Sequence, residues 1–97
     1  MIFRLTARAE EDIIQTYLEG AREFGGAQAE AYHARLERTL ALLADNPRLA
    51  RGRTELAPPV RVHPCGVHVI VHLVDESDDV LIVRLRHGRE DWVVDPI

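Results

Sequence analysis

Two runs rich in β-branched residues constrain this chain most: Val67-His68-Val69-Ile70-Val71-His72-Leu73-Val74 and Val80-Leu81-Ile82-Val83-Arg84-Leu85-Arg86. Such residues suit a pleated, half-buried surface. Between them stands Asp75-Glu76-Ser77-Asp78-Asp79, a polar stretch that fits a loop and not a strand. The runs are therefore expected to pair as an antiparallel hairpin. Cys65-Gly66 turns the chain in the same way and brings Val60-Arg61-Val62-His63 alongside the first run.

With residues 74 and 80 flanking the acidic loop, Leu73 faces Leu81, Val71 faces Val83 and Val69 faces Leu85. With the earlier turn centred on Cys65-Gly66, Val69 faces Val62 and Val71 faces Val60. These aliphatic residues share one face, because side chains alternate along a strand. That face is expected to lie under helices. The opposite face gathers Arg61, His63, His68, Ile70, His72, Val74, Val80, Ile82, Arg84 and Arg86. Its mixture of arginine, histidine and aliphatic side chains suits a surface that meets a partner.

The first half reads as helical. Ile2 to Leu5 predicts a short strand, and Thr6 an N-cap with Glu10, Glu11 and Asp12 at the positive end of the helix that follows. Ile13, Ile14, Tyr17, Leu18, Ala21 and Phe24 form its apolar stripe. Gly25-Gly26 ends it. A second helix is expected from about Ala27 to Ala44, with Tyr32, Leu36, Leu40 and Leu43 on one side and Asn46-Pro47 as its stop. The short connection makes the two an antiparallel hairpin. Pro47 to Pro59 is expected to be a surface connector rich in arginine. The order β-α-α-β-β-β predicts a two-layer α+β domain spanning residues 1–97. In it the helical hairpin packs on one face of a small, mainly antiparallel sheet.

Composition narrows the function. The net charge is −4 and the 12 basic residues are all arginine. That balance argues against general nucleic-acid binding, whereas arginine suits bidentate contacts with protein or phosphate. One cysteine excludes an internal disulfide. No apolar run reaches the roughly 20 residues of a membrane span, and the N-terminus lacks the form of a signal peptide. A cytoplasmic location with no membrane partner is the expectation.

His63, Cys65, His68 and His72 invite a zinc reading, with His63 and His68 as cross-strand neighbours. His72, however, stands about 13 Å along the strand from His68, too far for bonds of about 2.0–2.3 Å to one ion. No metal and no cofactor are assigned. Trp92 reads as a plug over one end of the core.

The ordered set of stretches resembles the ParE branch of the ParE/RelE toxin superfamily along nearly the whole chain. The similarity is carried by Ala9-Glu10-Glu11-Asp12-Ile13, Phe24-Gly25, Ala31-Tyr32 with Leu36, Asn46-Pro47 and His68-Val69-Ile70-Val71. The run from Ile82 through Arg84-Leu85-Arg86-His87-Gly88-Arg89-Glu90-Asp91-Trp92 is the most specific. Val71, His72 and Leu73 depart from the aromatic pair and arginine that the family often has there.

The resemblance implies a growth-arresting toxin of a type II toxin–antitoxin system. It implies inhibition of DNA gyrase by binding, neutralisation by a ParD-like antitoxin, and contact with DNA only through that antitoxin. The sibling RelE branch cleaves messenger RNA on the ribosome, and that is the alternative. It would use His87 as acid or base and Arg84, Arg86 and Arg89 to hold phosphate. The acidic balance and the lack of a tyrosine near the C-terminus weigh against it, so no catalytic residue is assigned. The target-binding residues are expected to be Arg61, Arg84, Arg86, His87, Arg89, Asp91 and Trp92. Those for the antitoxin are Tyr17, Tyr32, Leu36, Ile70 and Ile82.

Overall fold

The structure is a computed structural model and describes residues 3–56 and 59–97. Strand β1 spans Phe3–Leu5, helix α1 Ala7–Phe24 and helix α2 Gly26–Asp45, followed by strands β2 Gly52–Arg53, β3 Val60–Cys65, β4 His68–Val74 and β5 Val80–His87. The sheet order is β1-β5-β4-β3-β2, antiparallel except where β1 runs parallel to β5. This is the expected two-layer α+β arrangement, with β2 added inside the connector. Ile2 and Pro58 lie outside the described residues.

Thr6 caps α1 as its position suggests: its hydroxyl accepts the Ala9 N–H at 3.1 Å and donates to the Val83 carbonyl at 2.8 Å. One residue thus ends β1, starts α1 and fastens both to β5. Gly25, at φ 91°, separates the helices. The acidic loop is closed by Asp75, whose carboxylate accepts the N–H groups of Ser77 and Asp79.

The helices cover the face opposite to the one expected. Leu36, Leu40 and Leu43 of α2 and Ala9 of α1 pack on Cys65, Ile70, Val80, Ile82 and Leu85, with Ile13, Phe3, Leu5 and Val74 at the margin. Each fully buried aliphatic side chain contributes about 1.5–3 kcal/mol by leaving water. The face expected to be free, with Ile70 and Ile82, is therefore the core. The face expected to be covered by helices carries a second cluster, in which Leu56 of the connector and Trp92 of the tail cover Val60, Val62 and Val71. Both faces hold aliphatics, so alternation defines two apolar sides without saying which receives the helices.

Register explains the rest. Leu73 pairs with Leu81 as expected, but a bulge intervenes, and beyond it Val71 pairs with Arg84, Ile70 with Leu85 and Val69 with Arg86. Val83 is the extra residue. Leu85 consequently joins the helix side, while Arg84 and Arg86 change to the other. The β3–β4 turn falls at Gly66-Val67, so Val62 faces Val71, Pro64 faces Val69 and His63 faces Ile70. His63 and His68 are not cross-strand neighbours; Cys65 is the partner of His68.

On α1, Ile14, Leu18 and Phe24 are exposed and do not extend the core stripe. His72 is fully buried on the helix side, its Nδ1 bonded to the Ile70 carbonyl at 3.2 Å. Its Nε2 and the Nδ1 of His63 have no hydrogen-bond partner among the described residues, and burial pushes the His72 pKa down to about 4.

Candidate functional site: a groove under the helical hairpin and the adjoining tail

The second half of α1, the first half of α2 and the β3–β4 turn enclose a groove of about 460 Å³. Ile13, Phe24, Ala29, Leu36 and Val67 give it apolar walls; Tyr17, Glu19, Glu23, Tyr32, His68 and His87 supply its polar groups. A cleft of this size with apolar walls and a few convergent polar groups is the usual form of a binding site. No lysine or arginine lines it among the described residues.

Tyr32 is the fixed point. Its hydroxyl donates to the Cys65 carbonyl at 3.0 Å, accepts the Val67 N–H at 3.3 Å and lies 2.7 Å from His68 Nδ1. With the single hydroxyl proton on Cys65, all three contacts are satisfied only when His68 Nδ1 carries a proton and donates, which leaves Nε2 as an acceptor. Gly66 makes this possible. Its φ is +59°, and a Cβ there would stand 2.5 Å from the Tyr32 hydroxyl. Burial raises the pKa of Tyr32.

The rings of His68 and His87, paired across β4 and β5, meet edge to face at 5.3 Å. Burial, reinforced by His87, lowers the His68 pKa and keeps that ring neutral near pH 7. His87 Nδ1 accepts the Arg89 N–H at 3.1 Å, so its own proton sits on Nε2. At the rim, Tyr17 donates to Glu30 at 2.7 Å, and that bond raises the tyrosine pKa. Tyr17, Tyr32 and Leu36, expected to bind an antitoxin, thus converge on the groove. Ile70 and Ile82, expected with them, are fully buried core residues and present no surface.

The residues expected to meet a target separate into two groups. Arg84 is clamped by Asp12 of α1, with Nε and Nη2 donating to its carboxylate at 2.6 and 3.1 Å, and this pairing raises the arginine pKa. Arg86 reaches Glu90 and the Asp95 carbonyl. Glu90 also accepts the His87 N–H at 2.7 Å, and that bond foremost, with Arg86 assisting, lowers its pKa. Arg86 is therefore the partner of Glu90. Arg61 lies on the helix side of β3 and donates to the Ala50 carbonyl.

Arg89 and Asp91 are exposed. Trp92 is half-buried on the second cluster, with the Arg53 guanidinium 5.7 Å above its ring, so it plugs the face away from the helices. Glu19 and Glu23 carry no mark in the sequence as groove residues, and His68 stands there only as a member of the mixed face and of the rejected zinc set. The signal for the glutamates is their placement on α1, three and seven residues after Thr16, continuing the line of Ile13 and Tyr17.

The profile of the ParE toxin of the type II toxin–antitoxin system parDE matches residues 3–92. The chain is 34% identical to Toxin ParE of Escherichia coli over 87 residues, covering 90% of this chain and 84% of that protein. It is 32% identical to Toxin ParE1 of Mycobacterium tuberculosis over 68 residues, covering 70% of this chain and 69% of that one. A solved structure described as the chromosomal ParDE TA system from P. aeruginosa superposes with a TM-score of 0.76 at 18% identity, over 90% of this chain and 95% of that one. A profile match over nearly the whole chain, joined to the Escherichia coli similarity and the shared fold, places this protein in the ParE toxin family of type II toxin–antitoxin systems.

Proposed function

We propose that this ParE-type toxin arrests growth by binding DNA gyrase, with no chemistry of its own, and that a ParD-like antitoxin neutralises it in the bacterial cytoplasm. The observation carrying this reading is the state of the cations around His87. A ribonuclease needs free positive charge at the scissile phosphate. Here Arg84 is held by Asp12, and Arg86 by Glu90 and the Asp95 carbonyl, so that of the three arginines Arg89 alone is left exposed beside His87. On the other side of His87 the groove carries Glu19 and Glu23, which oppose a phosphate backbone.

The gyrase-facing surface is the tail from His87 to Trp92. Arg89 and Asp91 make the contacts, while Arg84 and Arg86 hold the tail from beneath and Arg61 braces the far edge of the sheet. The antitoxin fills the groove lined by Tyr17, Tyr32 and Leu36 as an apolar segment. The relative described as a ParDE system supports such a partner. DNA is reached only through the antitoxin.

Purified toxin added to a gyrase supercoiling reaction and, separately, to a translating extract tests the proposal. Supercoiling should fall while messages stay whole. Codon-specific cleavage with intact supercoiling would overturn it.

A further inference from the structure

The charges lining the groove are of one sign. Glu19 and Glu23 stand one turn apart on the same side of α1, and no arginine or lysine lines the groove with them among the described residues. Like charges at this spacing repel across one turn of the helix, and a cation between them would reverse that repulsion. From the floor, His68 lines the groove with its Nδ1 engaged by the Tyr32 hydroxyl. The walls are apolar where the groove opens: Phe24 and Val67 are 62% and 60% exposed. An aromatic face and an aliphatic wall leading to two carboxylates match a long side chain with a hydrocarbon stem and a charged head.

We infer that the antitoxin segment occupying this groove, an inference resting on the antitoxin assignment above, inserts a lysine or arginine along Phe24 and Val67, with its cation held by Glu19 and Glu23. The occupant is thereby an amphipathic segment with a basic residue inside its apolar face, not a purely hydrophobic one. The acidic pair then selects against antitoxins that carry a neutral or acidic residue at that point.

The antitoxin encoded beside the toxin gene is the probe, titrated against folded wild-type toxin, the Glu19→Gln/Glu23→Gln double variant and the Phe24→Ser/Val67→Ser double variant. Loss of the carboxylates should weaken binding about ten- to a hundredfold, chiefly through faster dissociation, and less so in raised salt. Neutralising one lysine or arginine of the antitoxin should cost a similar factor against wild type and nothing further against the glutamine variant. If the serine variant weakens binding while the glutamine variant does not, the groove holds the antitoxin without the cation and the inference fails alone. If neither weakens it, the antitoxin assignment fails as well. A free toxin that dimerises, with the dimer dissolved by the glutamine changes, would overturn the inference in favour of a second copy of this chain.

Discussion

Asp12 and Arg84 lie 72 residues apart in the chain and form a two-pronged ion pair that joins α1 to the edge of β5. The same carboxylate accepts the Leu85 N–H at 3.0 Å, just past the point where β1 stops pairing with β5. Both side chains are mostly buried, at 18% and 14% exposed. Asp12→Ala should leave a buried guanidinium and a backbone donor without partners, costing about 2–3 kcal/mol. For a domain of this size that lowers Tm by roughly 10 °C or more, measurable by calorimetry. Asp12→Asn, which keeps an acceptor oxygen, should lose less.

Acid sensitivity follows from His72. Its folded pKa of about 4 lies below the ordinary 6.5, so the unfolded chain takes up the proton first. The resulting stability is present above pH 6.5 and is lost as pH falls toward 4. Between pH 7.5 and pH 5 the loss is about 2 kcal/mol. Urea unfolding at the two pH values should show that difference in the wild type and a smaller one in His72→Leu. An unchanged slope would mean that another group governs the acid limb.

Two glycines offer a contrast. Gly66→Ala meets the Tyr32 ring and a left-handed backbone together, and should destabilise by about 2 kcal/mol or more while disturbing the groove. Gly26→Ala, at the start of α2 with open space around it, should be neutral or stabilising by up to about 1 kcal/mol. Chemical denaturation of both variants makes the comparison.

Arg86→Ala should release the tail without unfolding the sheet, because the guanidinium ties Glu90 and the Asp95 carbonyl to β5. Hydrogen exchange of residues 88–97 should quicken while the β4–β5 ladder stays protected. Growth arrest on induction should weaken in this variant and in Arg89→Ala, with antitoxin binding retained in Arg89→Ala. Full toxicity in both would place the gyrase contact elsewhere.

Much of the fold was legible because local signals agreed with one another. Thr6 at the head of α1, Leu36, Leu40 and Leu43 at helical spacing, and the acidic loop between two aliphatic runs all stand where they were expected. The face under the helices was not legible, since each strand carries aliphatics on both sides and the second set is covered by Leu56 and Trp92. Nor was the bulge, which leaves no mark in the alternation around Val83. In the groove, Tyr17, Tyr32 and Leu36 could be named from the helical stripes. Their meeting with His68 and His87 depends on a turn placed one residue later than the sequence suggested, and Glu19 and Glu23, exposed along the groove, look like any solvated helix face.

The extra residue at Val83 has a bearing on how this strand tolerates change. Its pleat shifts phase at that point, so variation along it should follow two rhythms: Val80 and Ile82 in one, Leu85 in the next. A saturation library of residues 80–87 would find conservative aliphatics retained at 80, 82 and 85, and an abrupt break in the every-second-residue pattern between them. Deleting Val83 would join the two rhythms into one regular strand in which Ile82, Arg84 and Leu85 keep their present partners on β4, so Leu85 would stay under the helices and the carbonyl that fastens Thr6 would be what is lost.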